Sequence, residues 1–223
     1  MSEPIEARRF HESDVVDDWR VVGEGACAYF RTGSFAKGAR LVQAISELAN
    51  LDAHHPDVDV RHDGVMVRLV TLRPGYYGLS QRDLELAREI SAVARQLGVS
   101  SDPTCVGNVQ VSIDALVSAD VWPFWRAVLG YVDRGDDPGE LVDPHARGPL
   151  VYFQRLREPH PHRNRIHIDV WVPHDQVEAR VAAALAAGGR LVTDERAPSW
   201  TTLADAEDNR ACVCSWQSPR EPR

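Results

Sequence analysis

The C-terminal half of this 223-residue chain repeats one order of elements: a strand, a helix and then further strands. The first copy is predicted to have a strand at 109–113, a helix at 122–129 that Gly130 ends, and a strand at 150–156. The second copy is predicted to have strands at 165–172, 191–193 and 211–216, with an alanine-rich helix at 175–187. Because neither copy can close a sheet alone, we expect two paired βαβββ copies facing each other around a cleft.

The N-terminal half alternates short strands with two amphipathic helices. Alternating apolar residues predict two antiparallel strand pairs, 21–22 with 26–30 and 58–60 with 65–70. One helix is predicted at 34–50, with an apolar face made of Phe35, Ala39, Val42, Ile45 and Ala49. Another is predicted at 80–97, with a buried stripe made of Leu84, Ala87, Ile90, Ala94 and Leu97.

Together the halves predict an α+β protein with two domains, at 13–99 and 105–217. In the first domain we expect an antiparallel sheet with helices on one face. Residues 1–12 are polar and lack periodicity, so they are predicted to form a loose arm. The polar tract 99–104 contains a proline and is predicted to connect the domains.

Composition and charge disfavour several classes of partner and function for this chain. The formal net charge of -8 disfavours nucleic acid as a partner, because phosphate backbones are negative. No apolar run approaches the roughly 20 residues that cross a bilayer, and the N-terminus lacks a signal-peptide pattern, so we expect no membrane partner and a cytoplasmic protein. The four cysteines have neither zinc-knuckle nor disulfide-framework spacing, which favours reduced thiols.

The stretch Ala53-His54-His55-Pro56-Asp57 places two adjacent imidazoles beside a proline. Proline restricts the residue before it to extended geometry, which favours a fixed loop corner at His55. Histidine exchanges protons near neutral pH, since its ordinary pKa is about 6.5. This stretch therefore favours acid–base chemistry.

Further motifs accompany that stretch in order along the chain. They are Phe30 and Phe35 at the first helix, the strands that end at Thr71, and the run 78–87 with the sequence GLSQRDLELA. In this combination, residues 19–97 resemble the pterin-4a-carbinolamine dehydratase family. The resemblance implies a hydro-lyase that removes water from 4a-hydroxytetrahydropterin, gives a quinonoid dihydropterin, needs no cofactor and forms a homodimer.

The resemblance also implies site residues. His54 and His55 match two members of a histidine trio, and Asp83 is a further catalytic candidate. We expect His55 to protonate the leaving hydroxyl group and His54 to bind and polarise the pterin. The candidates for substrate binding are Asn50, Pro56, Tyr76 and Tyr77.

Two positions depart from the family pattern. Leu72 follows Thr71 where the family carries its third histidine, and Asn50 stands where a glutamate is frequent. A missing acid–base group typically costs roughly 10²- to 10⁴-fold in rate. Slow turnover, or pterin binding without catalysis, is thus an alternative to full dehydratase activity unless Tyr76, Tyr77 or His62 substitutes.

Three of these candidates also have a purely structural interpretation. Ser80 and Asp83 have the spacing of a helix capping box, in which the carboxylate satisfies backbone N–H groups. Tyr76 and Tyr77 suit ordinary loop packing. These alternatives stay open from the sequence alone.

In the second half, the runs 124–131, 164–170 and 203–209, with Cys212 and Cys214, are the informative ones. Through them residues 106–216 look like the glyoxalase-like group of the vicinal-oxygen-chelate superfamily. Its enzymes hold a divalent metal with His, Gln or Glu side chains, which makes a glyoxalase- or dioxygenase-type enzyme a further alternative. The resemblance places a second cleft at Gln110, His167, Asp169 and Cys212.

That set includes a thiol where a glutamate is usual and a neutral amide. These side chains are poor ligands for a hard metal ion, so we predict no metal and an unknown small ligand in this cleft. A purely structural alternative for His167 is a histidine paired with Asp169.

Overall fold

A computed structural model describes residues 2–14, 16–22, 25–49, 51, 54–107, 110–137, 139–156, 167–172, 174–215 and 217. The chain divides into two compact units, Met1–Asn108 and Val109–Arg223. Within the described ranges, no helix is long and apolar enough to cross a bilayer.

The first unit is an antiparallel sheet covered by helices. In chain order its elements are α1 (Ala7–His11), β1 (Arg20–Val22), β2 (Gly25–Arg31), α2 (Phe35–Ser46), β3 (Asp57–Val60), β4 (Gly64–Leu69), β5 (Thr71–Arg73), β6 (Tyr76–Gly78), α3 (Gln81–Gln96) and β7 (Ser100–Ser101). The main sheet has the order β1-β2-β4-β3, with β7 paired to β2, while β5 and β6 form a separate hairpin. Both predicted strand pairs and the antiparallel sheet are confirmed.

One face of the main sheet forms the core of this unit. In register, Ala28 of β2 lies opposite Val67 of β4, which lies opposite Val58 of β3. Alternation along each strand sends these side chains to the same face. That face joins buried residues of all three helices, including Phe10, Leu41, Ile45, Leu84 and Ile90.

The buried face of helix α2 matches the predicted one only in part, at Ile45 and the partly buried Val42. Phe35 is 61% exposed, and the buried positions are Gly38, Leu41 and Ile45. A Cβ atom at Gly38 would lie 3.1 Å from Cγ1 of Val60, so the helix approaches the sheet closely there. The point of closest contact is thus a glycine, which adds no apolar side chain to the sequence pattern.

Helix α3 follows the prediction closely. The Ser80–Asp83 capping box is formed, and the predicted stripe is buried except for Leu97, which is 38% exposed. Burial of this stripe fixes the N-terminus of α3 beside the β5–β6 hairpin.

The prediction of a loose N-terminal arm is wrong. Residues 7–11 form α1, and the side chain of Phe10 is fully buried. Pro4 forms a β-bridge with Ser80, and the N–H of Ile5 donates to the carbonyl oxygen of Leu79 at 2.8 Å. A few buried apolar residues and backbone hydrogen bonds therefore hold this segment on the unit.

The tract 99–104 also contributes to the first unit. Ser100 and Ser101 pair with Arg31 and Phe30, and the buried Val99 belongs to the core. The proposed limits of the two domains, 13–99 and 105–217, stay a prediction.

The second unit contains two copies of one βαβββ arrangement. The first copy is β8 (Gln110–Ala115), α4 (Ser118–Leu129), β9 (Val132–Asp133), β10 (Glu140–Val142) and β11 (Leu150–Arg155), and the second is β12 (Ile168–Trp171), α5 (Val177–Ala186), β13 (Arg190–Thr193), β14 (Trp200–Ala204) and β15 (Arg210–Cys214). Each copy forms a four-stranded sheet in which the first and last strands are parallel neighbours. The predicted paired fold is confirmed.

The two copies share one core and are joined by polar contacts. Buried residues of α4 and α5 join those of both sheets in a single cluster. The indole N–H of Trp125 donates to the buried carboxylate of Asp205 at 2.8 Å, and Glu207 accepts the N–H groups of Leu116 and Val117. Gly130 ends α4 with a φ of 72°, a left-handed conformation that favours glycine.

Candidate active site

His54 and the buried Asp83 form a hydrogen-bonded pair. The distance between Nε2 of His54 and Oδ1 of Asp83 is 2.7 Å. The His54 side chain is 16% exposed and that of Asp83 is fully buried. Although 29 residues separate them in the chain, the loop before β3 and the N-terminus of α3 bring them together.

The other oxygen of Asp83 accepts three hydrogen bonds. The donors to Oδ2 are the N–H of Ser80 at 2.7 Å, the hydroxyl of Ser80 at 2.8 Å and the hydroxyl of Thr71 at 2.6 Å. Burial alone would raise the pKa of Asp83, but the hydrogen bonds from His54, Thr71 and Ser80 outweigh it and lower the pKa below its ordinary value. Asp83 is thus a buried carboxylate at neutral pH.

The β5–β6 hairpin places Thr71 at this carboxylate. Thr71 pairs with Gly78 across the hairpin, which brings it beside Ser80, two residues further along. The alternation along β5 turns the Thr71 side chain inward and leaves Leu72 71% exposed. The predicted place of the third histidine is therefore a surface position next to the Asp83 cluster.

The remaining predicted residues lie around this pair. His55 is exposed and Pro56 is partly buried, directly before β3. Among the residues that the structure describes, the His55 ring has no hydrogen-bond partner, which leaves it available to a ligand. Asn50 lies outside the described residues.

Both tyrosines of the hairpin are engaged within the unit. The Tyr76 hydroxyl donates to the carbonyl oxygen of Leu79, and the guanidinium of Arg73 lies 4.8 Å from the Tyr76 ring centroid. The Tyr77 hydroxyl accepts a hydrogen bond from the guanidinium of Arg68. Nη1 of the same guanidinium lies 3.7 Å from Oδ2 of Asp57. These contacts support the packing interpretation of both residues; their role in binding a substrate stays a prediction.

Sequence reasoning missed Thr71 and the His54–Asp83 contact. The Ser80-x-x-Asp83 spacing was a usable signal for one half of the cluster. Thr71 carries no local signal, because its position depends on the register of the β5–β6 hairpin.

In the second unit three of the four predicted cleft residues come together. Asp169 of β12 is the register partner of Cys212 of β15, and Nε2 of His167 lies 3.3 Å from Oδ1 of Asp169. The ligand atoms of these three residues lie within 4.8 Å of one another. Gln110 lies on β8, in the other sheet of the unit.

This cluster does not fit the hard metal ion that the glyoxalase-like resemblance implies. Burial raises the pKa of the Cys212 thiol, so the neutral thiol dominates at neutral pH. Mg²⁺ and Mn²⁺ prefer oxygen ligands, whereas this set offers one imidazole, one half-exposed carboxylate and a sulfur atom.

Comparison with known proteins assigns the first unit to a family. The family model described as pterin 4 alpha carbinolamine dehydratase matches residues 3–93. A Nocardia farcinica protein is 37% identical over 78 residues, which is 35% of this chain and 80% of that protein. An Acidobacterium capsulatum protein is 41% identical over 59 residues, 26% of this chain and 62% of that protein. Both are named "Putative pterin-4-alpha-carbinolamine dehydratase".

Through its first unit, the chain belongs to the pterin-4-alpha-carbinolamine dehydratase family. The family model described as glyoxalase-like domain matches residues 110–214, so the chain carries a fused glyoxalase-like domain. Both predicted resemblances are confirmed. A solved structure from Burkholderia phytofirmans, a glyoxalase/bleomycin resistance protein/dioxygenase family enzyme, is 16% identical with a TM-score of 0.39, covering 48% of this chain and 97% of that one.

Proposed function

We propose that the first unit dehydrates 4a-hydroxytetrahydropterin, with His54 and His55 as its acid–base groups. The observation that carries the proposal is the 2.7 Å bond between His54 and the buried carboxylate of Asp83. A carboxylate bound to one ring nitrogen holds an imidazole in a fixed orientation, as a proton-transfer catalyst requires. Family membership supplies the pterin as the substrate class.

The reaction needs two proton transfers and no redox partner. The C4a–O bond breaks with its electron pair leaving on oxygen, and a proton from one imidazolium completes a water molecule. The N5–H proton passes to a neutral imidazole, while the N–H electron pair becomes the C4a=N5 double bond. Protons and electrons balance, and exchange with solvent restores the starting protonation states of the two rings.

Leu72 supports slow turnover. An isobutyl side chain, 71% exposed, stands at the family's third histidine position and cannot transfer a proton. Loss of one acid–base group is expected to leave a rate roughly 10²- to 10⁴-fold below that of a complete trio. Pterin binding without turnover is the second candidate function, and the same residue favours it.

The test is to generate the carbinolamine enzymatically and to follow its ultraviolet decay with the full-length chain. The His54→Ala/His55→Ala variant should reduce the rate to the uncatalysed level. The His145→Ala variant is a matched control, because His145 is an exposed histidine of the second unit. Equal decay with wild type and the double variant would refute catalysis, and calorimetric pterin binding without faster decay would select the binding function.

A further inference from the structure

Three donors converge on one oxygen of Asp83, and among the residues that the structure describes the other oxygen contacts His54 alone. The backbone N–H of Ser80 can only donate, and it lies 2.7 Å from Oδ2. The hydroxyls of Ser80 and Thr71 complete the set at 2.8 and 2.6 Å. Asp83 and Ser80 are fully buried and Thr71 is 8% exposed, so water does not replace these donors.

This arrangement determines which nitrogen of His54 carries the proton. A carboxylate is only an acceptor, so Nε2 of a neutral His54 must be the protonated nitrogen that donates to Oδ1. Nδ1 is then unprotonated. Within the described residues, Nδ1 of His54 has no hydrogen-bond partner, and it is free to accept a proton from a ligand.

We propose that Thr71 and Ser80 are positioning residues which, through Asp83, fix His54 in the Nε2–H form and so make Nδ1 the proton acceptor of the site. The inference rests on the proposed dehydratase function and deepens it. His54 takes the N5 proton of the pterin at Nδ1, and the exposed His55 is left as the donor to the departing hydroxyl. This replaces the expectation that His54 only binds and polarises the substrate.

The Asp83→Asn variant offers a sharp test. Because the N–H of Ser80 needs an acceptor, the carboxamide oxygen of Asn must take the place of Oδ2, and its NH₂ group must face His54. His54 would then accept at Nε2 and carry its proton on Nδ1. The substitution keeps the shape of the side chain and reverses the tautomer.

Nuclear magnetic resonance of the ¹⁵N-labelled imidazoles in the full-length chain measures this directly, with His54→Ala for assignment. We expect Nε2–H in wild type and Nδ1–H in Asp83→Asn. A wild-type Nδ1–H form, or an unchanged tautomer in the variant, would overturn the proposal. This readout is independent of turnover, so an inactive wild type would refute the dehydratase function alone.

Steady-state kinetics separates positioning from simple packing. Thr71→Val should lower kcat about 10-fold, since a loosened base is misplaced, and leave KM within about 2-fold. Thr71→Ser should restore most of kcat because the hydroxyl returns. Thr32→Val is the matched control: Thr32 is buried, and its hydroxyl has no partner among the described residues, so kcat should not change. Equal losses in Thr71→Val and Thr32→Val, or no rescue by serine, would contradict a positioning role.

Discussion

The hydroxyl oxygens of Thr71 and Ser80 lie 2.7 Å apart, and both are within 2.8 Å of the same oxygen of Asp83. One comes from the first strand of the β5–β6 hairpin and the other from the N-cap of α3. The hairpin thus does more than connect β4 to α3, since its register decides whether the carboxylate behind His54 is held.

The family's missing histidine can be restored. Leu72→His should raise kcat at least about 10-fold, because it returns the proton-transfer group that the family carries after the threonine at this position. The position is 71% exposed, so an imidazole fits without repacking. The assay is the carbinolamine decay at near-neutral pH.

Leu72→Gln is the control for this prediction, since it adds a polar group of similar size that does not titrate. An equal rise of kcat in both variants would mean that the polarity of the side chain, and not proton transfer, causes the rise. No gain in Leu72→His would mean that the third histidine is dispensable for this chain.

Stability should depend on pH through Asp83. Its pKa is lowered in the folded state, so the stabilisation is present above the unfolded pKa of about 4 and is lost as pH falls through the folded value. Wild type should exceed Asp83→Asn in unfolding free energy at about pH 7, and the difference should shrink below about pH 4. Urea unfolding across this range measures it, and a constant difference would argue against a lowered pKa.

Tyr29 and Phe30 of the neighbouring strand leave no room for a side chain at Gly64. A Cβ atom there would lie 2.2 Å from Cζ of Tyr29 and 2.8 Å from the carbonyl oxygen of Phe30. Gly64→Ala should therefore destabilise the chain by about 1–3 kcal/mol, because the ring and strand must shift. Gly107→Ala is the control, since no described atom lies within 4 Å of its Cβ position. Similar midpoints of thermal unfolding for both variants would refute the steric argument.

Local patterns predicted the elements well. The stripe of Leu84, Ala87 and Ile90 and the alternation at Val65 and Val67 repeat with periods that identify a helix and a strand, and both segments are found. The capping box of Ser80 was likewise readable, since its partner lies three residues away.

Contacts between segments far apart in the chain could not be predicted from local sequence patterns. Nothing local in Thr71 or His54 indicates that both reach Asp83, and nothing in residues 2–5 indicates pairing with the segment around Ser80. These contacts depend on how finished elements pack, which periodicity does not encode. The face of α2 was predicted only in part for a related reason, because a close approach at Gly38 carries no apolar signal.

In the second unit, Gln110 of β8 pairs with Leu150 of β11, and Ile168 of β12 pairs with Ala211 of β15. The four-stranded sheet of each copy therefore joins its first strand to its last. The pairing of the first strand with the last requires that the chain between them, nearly a whole copy, forms a closed loop. Closing such large loops costs chain entropy before any pairing repays it, and it slows the approach to the native state. We therefore expect the β8–β11 and β12–β15 pairs, which join segments far apart in the chain, to form after the short-range pairs of each copy.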